Sequence, residues 1–232
     1  MEDGQLACID GDQWAQVGKV TGLHCDLPDP RGEHGCQAGL ILAHGAGAPM
    51  DSPFMDQIAQ RLAGQGVAVL RFEFPYMAQR RRDGGRRPPD RQAVLLDRWR
   101  EVYASVRPLV TGRLAVAGKS MGGRMASLLA DELGVDALVC LGYPFYAAGK
   151  PEKPRTAHLA SLRTPSLIVQ GERDALGNRQ TVEGYSLSPA IEVCWLQAAD
   201  HDLKPLKASG CTHDGHLQRT AERVAAFLKG AL

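Results

Sequence analysis

The sequence predicts an α/β fold, with a mostly parallel central sheet and helices on both of its faces. Three observations carry that reading. Short apolar runs recur along the chain, longer amphipathic stretches separate them, and Gly- or Pro-containing turns mark the joints. Apolar runs without period-two alternation belong to strands buried on both faces, and such strands need helical crossovers above and below the sheet.

The elements follow in order. Ala38–Ala43 is expected as the first buried strand, followed by a helix over about 52–63, where Pro53 suits a first helical position. Val67–Phe72 is the next strand. Val94, Leu95, Trp99, Val102 and Val106 form one helical stripe across about 90–106. Strand 114–117, helix 121–133, strands 137–141, 166–169 and 191–196, and a last helix over about 217–228 complete the pattern. Residues 1–37, with loop-marking Pro28, Pro30, Gly32 and Gly35, are expected as one or two antiparallel edge strands and loops. The stretch 79–91 carries arginines at 80, 81, 82, 86, 87 and 91 among glycines and prolines, and is expected as a surface loop. Residues 144–164 are expected as a small flap, so the whole of 1–232 is expected as one domain with minimal or no cap.

Bulk properties narrow the functional classes. A chain of 232 residues can bury roughly 70–75% of its unfolded surface, so it needs neither metal nor disulfide to fold. The net charge of +1 supplies no field to attract nucleic acid or an acidic membrane. The apolar runs fall far short of the ~20 residues that cross a bilayer. The opening Met-Glu-Asp-Gly has no basic-then-apolar leader, which points to the cytoplasm and argues against disulfides among the six cysteines. No cofactor or metal is expected.

The chemistry concentrates at strand ends. Gly118-Lys119-Ser120-Met121-Gly122 fits Gly-x-Ser-x-Gly between a strand and a helix. There a serine is held on a sharp turn and the flanking glycines leave room for it. The alternative is a plain Gly-rich turn. A serine hydroxyl needs a base, and in this context the acid and then the histidine follow the nucleophile along the chain. Asp174 follows the strand at 166–169, with Glu172 as runner-up and a helix-capping role as the other reading of Asp174. His201 follows the strand at 191–196, ahead of its rivals His213 and His216 at the start of the last helix. Backbone amides of Met121 and Ala46, the latter in His44-Gly45-Ala46-Gly47, are the expected oxyanion donors. Open sheets bind ligands beyond the carboxyl ends of their strands, where all four stretches lie.

With these stretches in place, the chain resembles the α/β-hydrolase superfamily over about residues 38–230, and more narrowly the small serine hydrolases related to dienelactone hydrolases. The likeness rests on His44–Ala48, Arg71–Tyr76, Gly118–Arg124, Gly142–Phe145, Gly171–Asp174 and Asp200–Pro205. The resemblance implies a serine hydrolase with a small cover and no metal, with the nucleophile, acid and base roles on Ser120, Asp174 and His201. Dienelactone hydrolases proper carry cysteine where this chain has Ser120.

The expected function is cleavage of a small carboxylic ester or thioester through an acyl-enzyme; the alternative is a non-catalytic binding or scaffold protein of the same fold. The expected partner is that small-molecule substrate, with no nucleic acid and no membrane; a homodimer is left open. Lys119, Tyr143 and Phe145 are candidate substrate-pocket residues, the aromatic pair otherwise filling core beneath the flap. Lys119, Lys204 and Lys207 would favour an anionic acyl group if they ringed the mouth. Cys211, His213 and His216 lie close in sequence but lack the further ligands of a zinc site.

Overall fold

The computed structural model describes residues 11–29, 36 and 38–231. Seven strands form one sheet: β1 (His24–Asp26), β2 (Ala38–Ala43), β3 (Val67–Phe72), β4 (Leu114–Lys119), β5 (Ala137–Leu141), β6 (Ser166–Gly171) and β7 (Ile191–Leu196). Their order is β1-β3-β2-β4-β5-β6-β7, and every pair is parallel except β1 with β3. The sheet is thus the mostly parallel one that the sequence predicts.

Every residue of β2 to β6 is buried, which explains why these strands read as continuous apolar runs. Successive residues serve opposite faces. Ile41, Ala68 and Leu70 pack with α1 (Gly11–Thr21), α4 (Gln92–Val106) and α5 (Met121–Leu133). Leu40, Leu42, Val67 and Val69 pack with α2 (Pro53–Gly64) and α7 (His213–Ala231). Gly39 is required by the first layer: a Cβ there would stand 1.8 Å from Trp14 Cζ2.

Arg71 is a cation inside an apolar strand, 3% exposed. Its guanidinium bonds Asp26 through Nε and Nη2 at 2.8 and 3.0 Å, Asp56 at 2.5 Å and the Met50 carbonyl at 2.6 Å. One buried cation therefore fastens the antiparallel edge and α2 to β3. A paired charge is tolerated there; an unpaired one would be strongly destabilising.

Three local expectations need correction. Within 1–37, the antiparallel strand β1 is present, but residues 11–21 form helix α1; residues 1–10, 30–35 and 37, and the readings that fell on them, lie outside the described residues. The arginine-rich stretch is not loop throughout. Helix α3 (Pro75–Asp83) takes in its first three arginines, begins with Pro75 and stops at Gly84, whose φ is 68°. Arg80, Arg81 and Arg82 occupy its last turn, where cations suit the helix dipole. Exposed chain follows over 84–89, and the half-buried Asp90 accepts the Tyr76 N–H at 2.9 Å. A short helix, α6 (Arg179–Val182), capped by the Asn178 side chain, also escaped the pattern.

Residues 144–164 carry a one-turn 3₁₀ helix at Ala157–Ala160 and no further helix or strand. Among the described residues, no helix is long and apolar enough to cross a membrane.

Candidate active site

Because β2 and β4 to β7 run parallel, the loops after β2, β4, β6 and β7 emerge along one edge of the sheet. Ser120 stands between β4 and α5 with φ 50° and ψ −114°, a left-handed backbone that a non-glycine residue holds only under constraint. Close packing supplies the constraint. A Cβ on Gly118 would lie 2.2 Å from Gly123 N, and one on Gly122 would lie 2.5 Å from the His44 carbonyl oxygen. The strand and helix therefore meet backbone to backbone, and the turn between them projects Ser120 beyond the sheet.

His201 Nε2 lies 2.8 Å from Ser120 Oγ, and His201 Nδ1 lies 2.7 Å from Asp174 Oδ2. With the proton on Nδ1, the ring donates to the carboxylate and presents the Nε2 lone pair to the serine hydroxyl. Asp174 is fully buried. Its Oδ2 also accepts from Gln170 Nε2 at 2.8 Å, and its Oδ1 accepts from the Leu176 N–H at 2.7 Å. The carboxylate therefore has donors on both oxygens.

Gln170 was invisible to sequence reasoning. Its Oε1 accepts from Tyr143 N at 2.7 Å, while Nε2 also faces the carbonyls of Tyr143 and Gly177 at 3.2 and 3.0 Å. A single amide thus ties the end of β6 to the loops after β5 and β6. The signal was a polar residue directly after the apolar run Leu167–Val169.

The loop after β2 packs against this turn. His44 is buried, and burial holds its pKa below the usual histidine range. Its Nδ1–H donates to the Gly45 carbonyl at 2.7 Å, and its Nε2 accepts the Phe74 N–H at 3.1 Å, which assigns the neutral tautomer. Tyr76 Oη donates to the Ala46 carbonyl at 2.9 Å. Ala46 itself is exposed beside the half-buried Ser120 and Met121. Met121 opens α5, where helix geometry leaves the N–H without an intrahelical acceptor.

The rival residues are engaged elsewhere. Glu172 Oε2 accepts the Ala198 N–H at 2.9 Å and Oε1 meets Arg179 at 3.1 Å. His213 Nε2 and His216 Nδ1 bond the carbonyls of Asp202 and Leu203, each at 3.0 Å, and so brace the histidine loop. The expected pocket residues do not form an open wall. Tyr143 and Phe145 are fully buried edge to face at 4.8 Å, so they fill core beneath residues 144–164. Lys119 is 7% exposed and its ammonium is bonded to the histidine loop. Lys204 and Lys207 are exposed.

A second serine–histidine pair, Ser127 Oγ with His158 Nε2, spans 2.9 Å. Ser127 lies inside α5 and its hydroxyl donates to the Arg124 carbonyl at 2.8 Å. The imidazole must therefore donate to Ser127, the reverse of what activating a nucleophile requires. Burial pushes the His158 pKa down to about 4.

Comparison with known proteins agrees with this architecture. The model of the α/β-hydrolase domain family matches residues 36–229. Carboxymethylenebutenolidase of Pseudomonas putida is 28% identical over 112 residues, 47% of this chain and 45% of that enzyme, so the match spans about half of each. Among solved structures, the lidless α/β serine hydrolase XC6422 of Xanthomonas campestris aligns at TM-score 0.59 and 22% identity, covering 87% of this chain and 88% of that one. Dienelactone hydrolase of Anabaena variabilis aligns at TM-score 0.61 and 20% identity, covering 88% of each chain. Est1E of Butyrivibrio proteoclasticus aligns at TM-score 0.62 and 18% identity, covering 90% of this chain and 93% of the other. At such identities the structural likeness speaks for the fold alone. Together with the family match over residues 36–229, it establishes that this chain belongs to the α/β-hydrolase domain family.

Proposed function

We propose that the protein is a serine hydrolase that cleaves a carboxylic ester or thioester of a small molecule through an acyl-enzyme on Ser120. The observation that carries this reading is the unbroken row from Ser120 Oγ through the His201 ring to Asp174, with contacts of 2.8 and 2.7 Å.

His201 Nε2 takes the hydroxyl proton as Ser120 Oγ attacks the substrate carbonyl carbon. Asp174 keeps the other ring nitrogen protonated and stabilises the imidazolium that forms. The carbonyl oxygen gains a full negative charge, directed at the N–H groups of Met121 and Ala46, each worth on the order of 10²–10³ in turnover. The amino end of α5 adds its dipole to the same charge. His201 then protonates the departing alkoxide or thiolate, the carbonyl re-forms, and Ser120 is left acylated. Water enters from the open side, gives a proton to His201 and attacks the acyl carbon; Ser120 leaves with that proton and the carboxylate product departs.

The esterase-type names of the relatives agree with this chemistry, and the cysteine-to-serine difference at the nucleophile keeps the same acyl-transfer logic. The test is turnover of p-nitrophenyl acetate and a panel of short and long acyl esters and thioesters. Steady hydrolysis by the wild-type chain and its loss in His201→Ala support the reading. A wild-type chain that turns over none of them and fails to react with a fluorophosphonate would instead indicate a binding protein built on this fold.

A further inference from the structure

Lys119 precedes the candidate nucleophile and ends β4. Its ammonium is buried where an unpaired charge would be costly, and the surroundings meet it on three sides. Nζ donates to the His201 carbonyl at 2.8 Å, pairs with Asp202 Oδ1 at 3.2 Å and stands 5.4 Å from the centre of the Phe54 ring. The slot is built without slack. A Cβ on Gly142 would come within 2.7 Å of the His201 carbonyl oxygen and 3.3 Å of Lys119 Nζ.

The histidine loop is otherwise braced on either side of residue 201. Asp200 accepts the N–H groups of Asp202 and Lys204 at 2.9 and 3.0 Å, and His213 and His216 hold the carbonyls of Asp202 and Leu203. Two non-glycine residues of this loop, Ala198 and Leu203, carry positive φ values of 53° and 61°. A loop under such constraint keeps its shape through its own bonds, yet among the described residues only the Lys119 ammonium, on the residue before Ser120, reaches the carbonyl of the histidine itself.

We propose that Lys119 is a positioning residue that sets the reach of His201 to Ser120 by tying the nucleophile turn to the backbone of the base. This rests on the function proposed above. Acting through His201, Lys119 governs the reaction step and leaves substrate binding unchanged. Removing it leaves Asp202 mostly in water, with a side chain 72% exposed, so no buried charge is left unpaired and the cost to the fold is confined to one hydrogen bond at the His201 carbonyl. Removing one partner of a buried ion pair is strongly destabilising where the other charge stays buried, and the carboxylate left behind here is at the surface. Loss of the tether should slow the chemistry, because misplacement by about 1 Å lowers rates by roughly 10²-fold.

The test is saturation kinetics of inactivation by a fluorophosphonate for the wild type, Lys119→Met, Lys119→Gln and Lys119→Arg, with the thermal midpoint of each. The expected result is a maximal inactivation rate lowered about 10- to 100-fold in Lys119→Met and Lys119→Gln. The half-saturating concentration and the midpoint stay near wild type, and Lys119→Arg recovers part of the rate. Wild-type rates in Lys119→Met, or losses that follow a lowered midpoint, would overturn the proposal while Ser120 remained the labelled residue. A wild type that does not label, or labelling that survives Ser120→Ala, would bring down the function reading and this inference together.

Discussion

Gln170 and His201 share one carboxylate oxygen: Gln170 Nε2 and His201 Nδ1 approach Asp174 Oδ2 at 2.8 and 2.7 Å. The acid is thus aimed by a neighbour that belongs to the sheet itself. Replacing Gln170 by Leu removes that donor and leaves the N–H of Tyr143 without its acceptor. An orphaned buried donor costs about 1–3 kcal/mol, so chemical denaturation should show a loss of that order. Ester turnover should fall as well, because the carboxylate loses one of its two side-chain contacts. Unchanged stability and turnover would mean that the buried amide has no such role.

Asp174→Asn should leave the fold intact and lower kcat by about 10³–10⁴, because an amide that donates toward Nδ1 favours the wrong imidazole tautomer. Steady-state kinetics with p-nitrophenyl acetate, alongside circular dichroism, reads both halves of this expectation. Glu172→Gln should cost far less turnover, since that side chain binds Ala198 N and Arg179, away from His201.

Most of the fold was legible because β2 to β6 are buried on both faces and so carry uninterrupted apolar runs. Ser120, Asp174 and His201 could be read as a set because each follows a strand, and parallel strands deliver their following loops to one edge. Helix α1 was hidden: its buried face is only Trp14, Val17 and Gly18, and glycines at both 11 and 18 weaken the helical pattern. Helix α3 was hidden by its arginines, which read as solvated loop until the Pro75 start and Gly84 stop are taken together. Gln170 and Tyr143 bond each other from separate strand ends and Lys119 bonds the distant His201 carbonyl, contacts that no local spacing encodes.

Gly39→Ala should destabilise the protein although alanine is the smallest possible insertion. The added carbon would stand 1.8 Å from a fully buried Trp14 ring, so helix α1 must shift or the strand must move. Overpacking of this kind typically costs about 1–3 kcal/mol. Denaturant unfolding measures it, and the double variant Gly39→Ala, Trp14→Leu should recover part of the loss.

Acid stability should report His158. Its pKa falls from 6.5 to about 4 in the folded protein because burial disfavours the imidazolium. The unfolded chain therefore binds a proton at a higher pH than the folded one, and stability is lost as pH falls from 6.5 toward about 4. Above that window both states are neutral at this ring and it makes no difference. His158→Gln should flatten this limb of the stability profile in thermal melts taken between those pH values. An identical slope in wild type and variant would assign the acid sensitivity to other groups.

The bonded row of alcohol, imidazole and carboxylate is most directly tested by intact mass spectrometry after treatment with a fluorophosphonate, followed by peptide mapping. The expected result is one adduct per chain, on Ser120, absent from a folded Ser120→Ala variant. An adduct on another serine, Ser127 included, or a Ser120→Ala protein that labels as the wild type does, would contradict the assignment of Ser120 as nucleophile.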